Sequence, residues 1–374
     1  MFFTEEKLAD RIRELSEYRY QDSISISKFN SKEDEAGKIA EYPPENGEWD
    51  LMEVGERWSG RDRYLWLAAD VKIPSEWKGK QVLGRFDFGT TGGGHNSGFE
   101  SLLFLNGEPY KGVDSNHQEV FFPEELIGTE VSLRFRLWSG LEGGGQPQIQ
   151  EHQLKLAEIC CLNQAADDLY FTGRAILQTV KELDNNNPER SQLLSALDRS
   201  FQKLDWSRPG SNKFYKSVNE ARELLNSQIE EMDSDHPVTV NCIGHTHIDV
   251  AWLWRLKHTR EKAARSFSTV LRLMEQYPEY YFLQSQPQLY EYIKNDYPEI
   301  YEQIQKKINE DDNKWEAEGG MWVEADCNIS SGESLVRQLL YGKKFLQEEF
   351  GIDCKYLWLP DVFGYSWALP QILK

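Results

Sequence analysis

Gly244, His245, Thr246, His247, Ile248 and Asp249 close an apolar run at 238–243 that starts just after Pro237. Imidazole nitrogen and carboxylate oxygen are ligand atoms for zinc, and alternate residues of an extended segment point to one side. His245, His247 and Asp249 can therefore face one cavity, and the chemistry implied is that of a metal centre. A second carboxylate, Asp361, stands in a similar place, after a strand-like run at 356–359 and Pro360. One neutral imidazole and two carboxylates suit zinc and leave room for another ligand and a substrate. Taken singly, Asp249 and Asp361 serve equally well as helix caps, and His247 serves as a satisfied structural histidine. Two such motifs, each behind a strand-like run, tip the balance towards a metal.

The elements that must position these residues follow a clear pattern. From Pro237 onward, strand-like stretches at 238–243, 280–284, 315–323 and 356–359 alternate with helical ones at 255–276, 289–309 and 331–350. Ser330 with Glu333 has capping-box spacing at the head of the last of these, and 369–374 begins another helix. Such alternation implies a parallel sheet or barrel, with its site at the carboxyl ends of the strands. His247 and Asp249 follow one such end and Asp361 another. Sequence order alone does not bring them together, so strands one and four must be near neighbours in the sheet. Four strands and a nascent helix leave a sheet edge open, which implies the first, incomplete part of a parallel α/β barrel-like catalytic domain.

Upstream the texture differs. Residues 4–18 carry Leu8, Ile12 and Leu15 at helical spacing. From about 24 to 161, short apolar runs alternate with Gly, Asn and Pro turns, and Asn106-Gly107 is a strong hairpin signal. This is the pattern of an antiparallel β-sandwich. Helical segments fill 167–232, broken at 185–188 and 207–210. The expected organisation is multidomain α+β and α/β: an N-terminal helix (1–20), a β-sandwich (21–165), a helical connector (166–234) and the α/β unit (235–374). The glycine-rich loop at 90–96 precedes no helix pattern that could cradle a phosphate, and the acidic runs read as solvated faces.

Composition narrows the function classes. The net charge of −20 argues against nucleic acid and anionic membrane, which reward Lys and Arg, and is compatible with a neutral substrate. Aromatic residues make up 13% of the chain, including 12 Trp, and flat rings suit sugars or bases as well as cores. Five cysteines, two of them adjacent, form no disulfide framework, and no signal peptide or membrane-length apolar run is present, which points to a reducing cytoplasm.

The segment from Gly244 onward resembles the start of the catalytic domain of family 38 α-mannosidases, and is most similar to their cytosolic-type branch. The resemblance is carried by 244–254, by 319–328 with Glu324 and Asp326, by Ser331, Glu333 and 336–338, and by 357–366 with Asp361 and Phe363. The stretch at 104–114 is similar, more loosely, to the N-terminal domain of that branch. The resemblance implies zinc held by His247, Asp249 and Asp361, with Asp361 also the catalytic nucleophile and Trp252 and Phe363 lining the mannose site. His245 matches a position that is not a ligand. It further implies a retaining hydrolase that releases terminal α-linked mannose from an oligosaccharide or glycan. The family's further histidine ligand and its general acid/base lie beyond Lys374, so the 374-residue chain is expected to bind zinc weakly and to turn over little or nothing. Two other readings compete: an amidohydrolase-like metal hydrolase, in which both histidines are ligands, and a non-enzymatic glycan-binding module built on the sandwich. Assembly into a homo-oligomer is left open.

Overall fold

A computed structural model describes residues 4–89, 99–232, 238–310 and 313–374. The glycine-rich loop at 90–96 and the segment 233–237 that closes the helical connector fall outside these residues.

The sandwich consists of two antiparallel sheets. One orders Tyr20–Ser25, Leu156–Leu162, Val82–Asp87 and Glu119–Phe121. The other orders Asp50–Glu53, Lys28–Asp34, Tyr64–Lys72, Glu130–Trp138, Glu100–Leu105 and Glu108–Asp114. Asn106 and Gly107 form the hairpin turn between the last two strands, both with positive φ (53° and 91°), which explains the Asn-Gly pair. Two-residue alternation gives the larger sheet two buried faces. Leu65, Leu67, Leu103, Leu133 and Phe135 point into the sandwich core, whereas Trp66, Leu102 and Phe104 point outward into a second core shared with the C-terminal helices. The central strands therefore read as unbroken apolar runs.

The N-terminal helix Thr4–Leu15 shares one core with Gln164–Glu182, Pro188–Phe201 and Asn212–Glu230, through Leu8, Ile12, Leu169, Leu197, Phe214 and Val218. These helices form a small bundle against one another. Asn163 caps the first of the three by accepting from Ala166 N–H, and Ser211 caps the last from Phe214 N–H.

In the α/β unit the strands Gly244–His245, Phe282–Gln284 and Trp315–Ala317 run parallel in that order. A parallel bridge from Gly319 to Leu357 extends the order by a fourth segment. Pairing is much shorter than the apolar runs imply. Residues 238–243 form no strand, since the neighbouring strand begins only at Phe282, and Val238 and Val240 are exposed. The single long helix expected over 289–309 is two helices, Pro287–Asp296 and Pro298–Asn309. Pro298 lacks an N–H and steers Tyr297 out of the helical region. Helix Gly332–Phe350 is capped by Ser331, not Ser330: its hydroxyl accepts from Ser334 N–H, and Gly351 ends the helix at φ 71°. Gly342 lets this helix press on the chain, because a Cβ there would meet Gly320 O at 2.3 Å. No described helix is long and apolar enough to cross a membrane.

Candidate metal centre

The carboxyl ends of the parallel segments converge. His247 and Asp249 follow the first, Ser285 and Gln286 the second, Glu324 the third, and Asp361 the fourth. Sheet order is sequential, so the first and fourth segments are not neighbours in the ladder, contrary to the sequence-based requirement. They meet instead through the loops beyond the strand ends. Trp358 Nε1 donates across to His245 Nε2 at 3.4 Å, and His247 Nε2 lies 3.5 Å from Asp361 Oδ2.

His247, Asp249 and Asp361 each offer a ligand atom within 4.8 Å of the others. His247 Nε2 is 3.3 Å from Asp249 Oδ1. Its other nitrogen, Nδ1, hydrogen-bonds to Glu324 Oε2. With Nδ1–H donated to Glu324, the Nε2 lone pair is aimed at the two aspartates, which is the tautomer a metal requires. Glu324 is well fixed for this task. Its side chain is only 3% exposed, Ser285 Oγ donates to Oε1, and its own N–H donates to Gln286 Oε1 at 3.2 Å.

The electrostatics follow from this arrangement. Burial pushes the His247 imidazole towards neutrality, but the charge and hydrogen bond of Glu324, with Asp249 behind them, outweigh it and raise the pKa above the usual histidine value. Burial likewise favours a protonated Glu324. The nearby His245 ring, hydrogen bonds from Ser285 and His247, and the His247 charge overcome it and hold the carboxyl below its ordinary value. A cation at Nε2 would replace the proton that this cluster otherwise keeps there.

His245 stands outside the donor group. Its Nδ1 contacts Leu283 O at 2.9 Å and its Nε2 faces Trp358 and, at 3.6 Å, Glu324. The donor set that sequence spacing alone suggests, two histidines and an aspartate on one segment, is thus not the one assembled. Trp252 and Phe363 are also outside the donor group and largely exposed, at 64% and 89%. Trp252 borders a cavity against the sandwich.

Several positioning residues escaped the sequence reading. Gln284 and Gln286 are buried amides whose Nε2 groups donate to Thr246 O and Ile248 O, clamping the segment that carries His247. Thr259 Oγ1 donates to Asp249 O and accepts from Trp254 Nε1, each at 3.0 Å. The available signal was a pair of glutamines, Gln284 and Gln286, at the end of an apolar strand, where buried amides need partners.

Residues 237–374 match the family "Glycosyl hydrolases family 38 N-terminal domain", and residues 26–151 match "Alpha-mannosidase, jelly roll domain". Alpha-mannosidase G of Dictyostelium discoideum is 31% identical over 380 residues, covering 96% of this chain and 34% of the relative. Alpha-mannosidase 2C1 of Homo sapiens is 30% identical over 334 residues, covering 86% and 30%. An alpha-mannosidase of Saccharomyces cerevisiae is 41% identical over 170 residues, covering 42% and 16%. The chain spans about a third of the length of the first two relatives. With this jelly-roll sandwich in front of a family 38 N-terminal domain whose strand ends gather His247, Asp249 and Asp361, the chain belongs to glycosyl hydrolase family 38.

Proposed function

We propose that the chain supplies the metal-binding and nucleophilic part of a zinc-dependent, retaining α-mannosidase that removes terminal α-linked mannose from an oligosaccharide or glycan. The observation that carries this is the convergence of His247 Nε2, Asp249 and Asp361 from two distant segments within 4.8 Å. The donor chemistry fits zinc: one imidazole nitrogen, already oriented by Glu324, and two carboxylates. Zinc held there would act as a Lewis acid towards sugar hydroxyls and offset the charge of the paired aspartates.

The residues of the chain do the rest of the work assigned to them. Asp361, with a half-exposed side chain, attacks the anomeric carbon as the glycosidic bond breaks, and water later frees the sugar from its carboxylate. Trp252 and Phe363 offer exposed flat faces to the sugar ring. The departing oxygen needs a proton from a second carboxyl, typically ~5–5.5 Å from the nucleophile in retaining enzymes. Glu324 is committed to His247 and Ser285, and Asp326 Oδ1 accepts from Asn328 and Ile329 N–H, so neither is free for that role. A polypeptide of these 374 residues should therefore hydrolyse slowly, and with the three donor residues His247, Asp249 and Asp361 it should bind zinc weakly. We divide it into the sandwich, the helical segment and an α/β unit that forms the first part of a barrel-like domain. Its five free cysteines fit a reducing cytoplasm.

The test is zinc binding by the purified 374-residue chain. His247→Ala and Asp361→Asn should abolish it, while His245→Ala should leave most of it. Loss of zinc on His245→Ala equal to that on His247→Ala would favour the amidohydrolase-like alternative. Full-rate hydrolysis of a nitrophenyl α-mannoside by the same chain would overturn the expectation of slow turnover.

A further inference from the structure

A cavity of about 150 Å³ lies between the sandwich and the helix Leu256–Gln276, beside the loop that follows Asp249. Both units build it. Glu100 and Trp138 are cross-strand partners at the ends of their strands in the larger sheet. Lys262 and Arg265 lie on one face of the facing helix, and Trp252 and Trp254 come from the loop.

The lining is ordered. Glu100, with a side chain 14% exposed, is paired with Arg265 and stands 3.4 Å from Lys262 Nζ. That ammonium sits 5.6 Å over the Trp254 ring, and Trp254 meets Trp252 edge to face at 5.5 Å. The wall is also wired to the donor group. Trp254 Nε1 donates to Thr259 Oγ1, which donates to the carbonyl of Asp249. Trp252, which the function proposed above puts against the reacting sugar, is therefore shared between the two places.

Charges and indoles here frame an opening where a mere interface would close it. Flat rings beside a fixed carboxylate, guanidinium and ammonium suit a sugar, which presents an apolar C–H face and an edge of hydroxyls. One carboxylate against two cations leaves little net charge to hold a phosphate.

We propose that this cavity is a subsite for the sugar unit next to the mannose that reacts, so that the sandwich takes part in recognising the substrate. The inference rests on the α-mannosidase reading of the donor group. The experiment is calorimetric titration of the 374-residue chain, at saturating zinc, with methyl α-mannoside and with a linear α-linked mannotriose. The trisaccharide should bind about tenfold more tightly, the worth of roughly 1.4 kcal/mol of added contact. Leu141→Trp, which fills the cavity from a sandwich loop, and Lys262→Met, which removes its ammonium, should each bring that ratio close to 1, with folding checked by circular dichroism. Equal binding of the two sugars by the parent chain, binding of neither, or a ratio that survives both substitutions would overturn the subsite. His247→Ala keeps the two ideas apart. If methyl α-mannoside binding ignores zinc and His247 while the chain-length ratio still falls with Leu141→Trp, the metal-site reading fails and the subsite stands.

Discussion

Two clusters of charge are each assembled from distant parts of the chain, and they are built on opposite principles. At the junction of sandwich and helix, Arg136 is fully buried between Asp34 and Glu261, at 2.7 and 3.1 Å, and its guanidinium lies 4.5 Å over the Tyr64 ring. Tyr297 O–H and Ala40 N–H also donate to Glu261. At the strand ends, one imidazole faces three carboxylates, Asp249, Asp361 and Glu324, and the two aspartates remain partly open to solvent. Cations and anions share the burial around Arg136, so the charge there is balanced within the chain. The strand ends carry an excess of negative charge among the described residues, which an added cation would balance. Excess and access together distinguish a site from an ionic joint.

The largest effect should come from breaking the joint. Arg136→Met removes the cation but leaves Asp34 and Glu261 buried, so urea unfolding should show a loss of about 3–5 kcal/mol. A loss below about 1 kcal/mol would mean that the two carboxylates find water or a proton at little cost, and the contrast with the open cluster would weaken. At the strand ends the same kind of change should act on the metal and barely on the fold. Glu324→Gln can no longer hold Nδ1–H with a full charge, and zinc affinity should fall about 10–100-fold in a competition titration with a chelator. Unchanged affinity would reduce Glu324 to a structural acceptor.

The two regions were also unequally visible in the sequence. The sandwich strands announced themselves because residues such as Leu65, Trp66 and Leu67 are buried on alternate faces, leaving an uninterrupted apolar run between turn residues. Sequence also exposed His247, Asp249 and Asp361, since each follows a strand-like run. What it did not reveal was how these residues meet. Alternation on one strand put His245 with His247, but His245 turns to Leu283 O and Trp358. A neighbouring-strand rule joined Asp249 to Asp361, yet the contact is made by loops over a sequential sheet. The joint was silent altogether. Arg136 lies in an alternating strand, where a charge reads as solvent-facing, and only the packing of a helix on that outer face buries it. Tertiary partners of this kind leave no local pattern.

The gentlest probe of the comparison is acid, acting on a histidine of the joint. His258 is 2% exposed, its Nδ1 accepts from Arg255 N–H at 3.1 Å, and its Nε2 lies 2.6 Å from Asp62 Oδ1. Burial, reinforced by Lys257, Arg255 and Arg265, lowers its pKa to about 3. Asp62 does not reverse this, because it already takes the Nε2 proton and a second proton would have to sit on Nδ1, against the Arg255 N–H. An unfolded chain takes up that proton near pH 6.5, the ordinary histidine value, and the folded chain does not. The contribution of His258 is therefore complete above about pH 6.5 and is lost as pH falls towards 3, at up to about 1.4 kcal/mol per unit. Denaturant midpoints measured between pH 7 and 4 should fall, and His258→Gln should flatten part of that slope. A parent chain and a His258→Gln variant with the same pH slope would show that this ring is protonated in place, and that the joint tolerates an added charge as readily as the open cluster does.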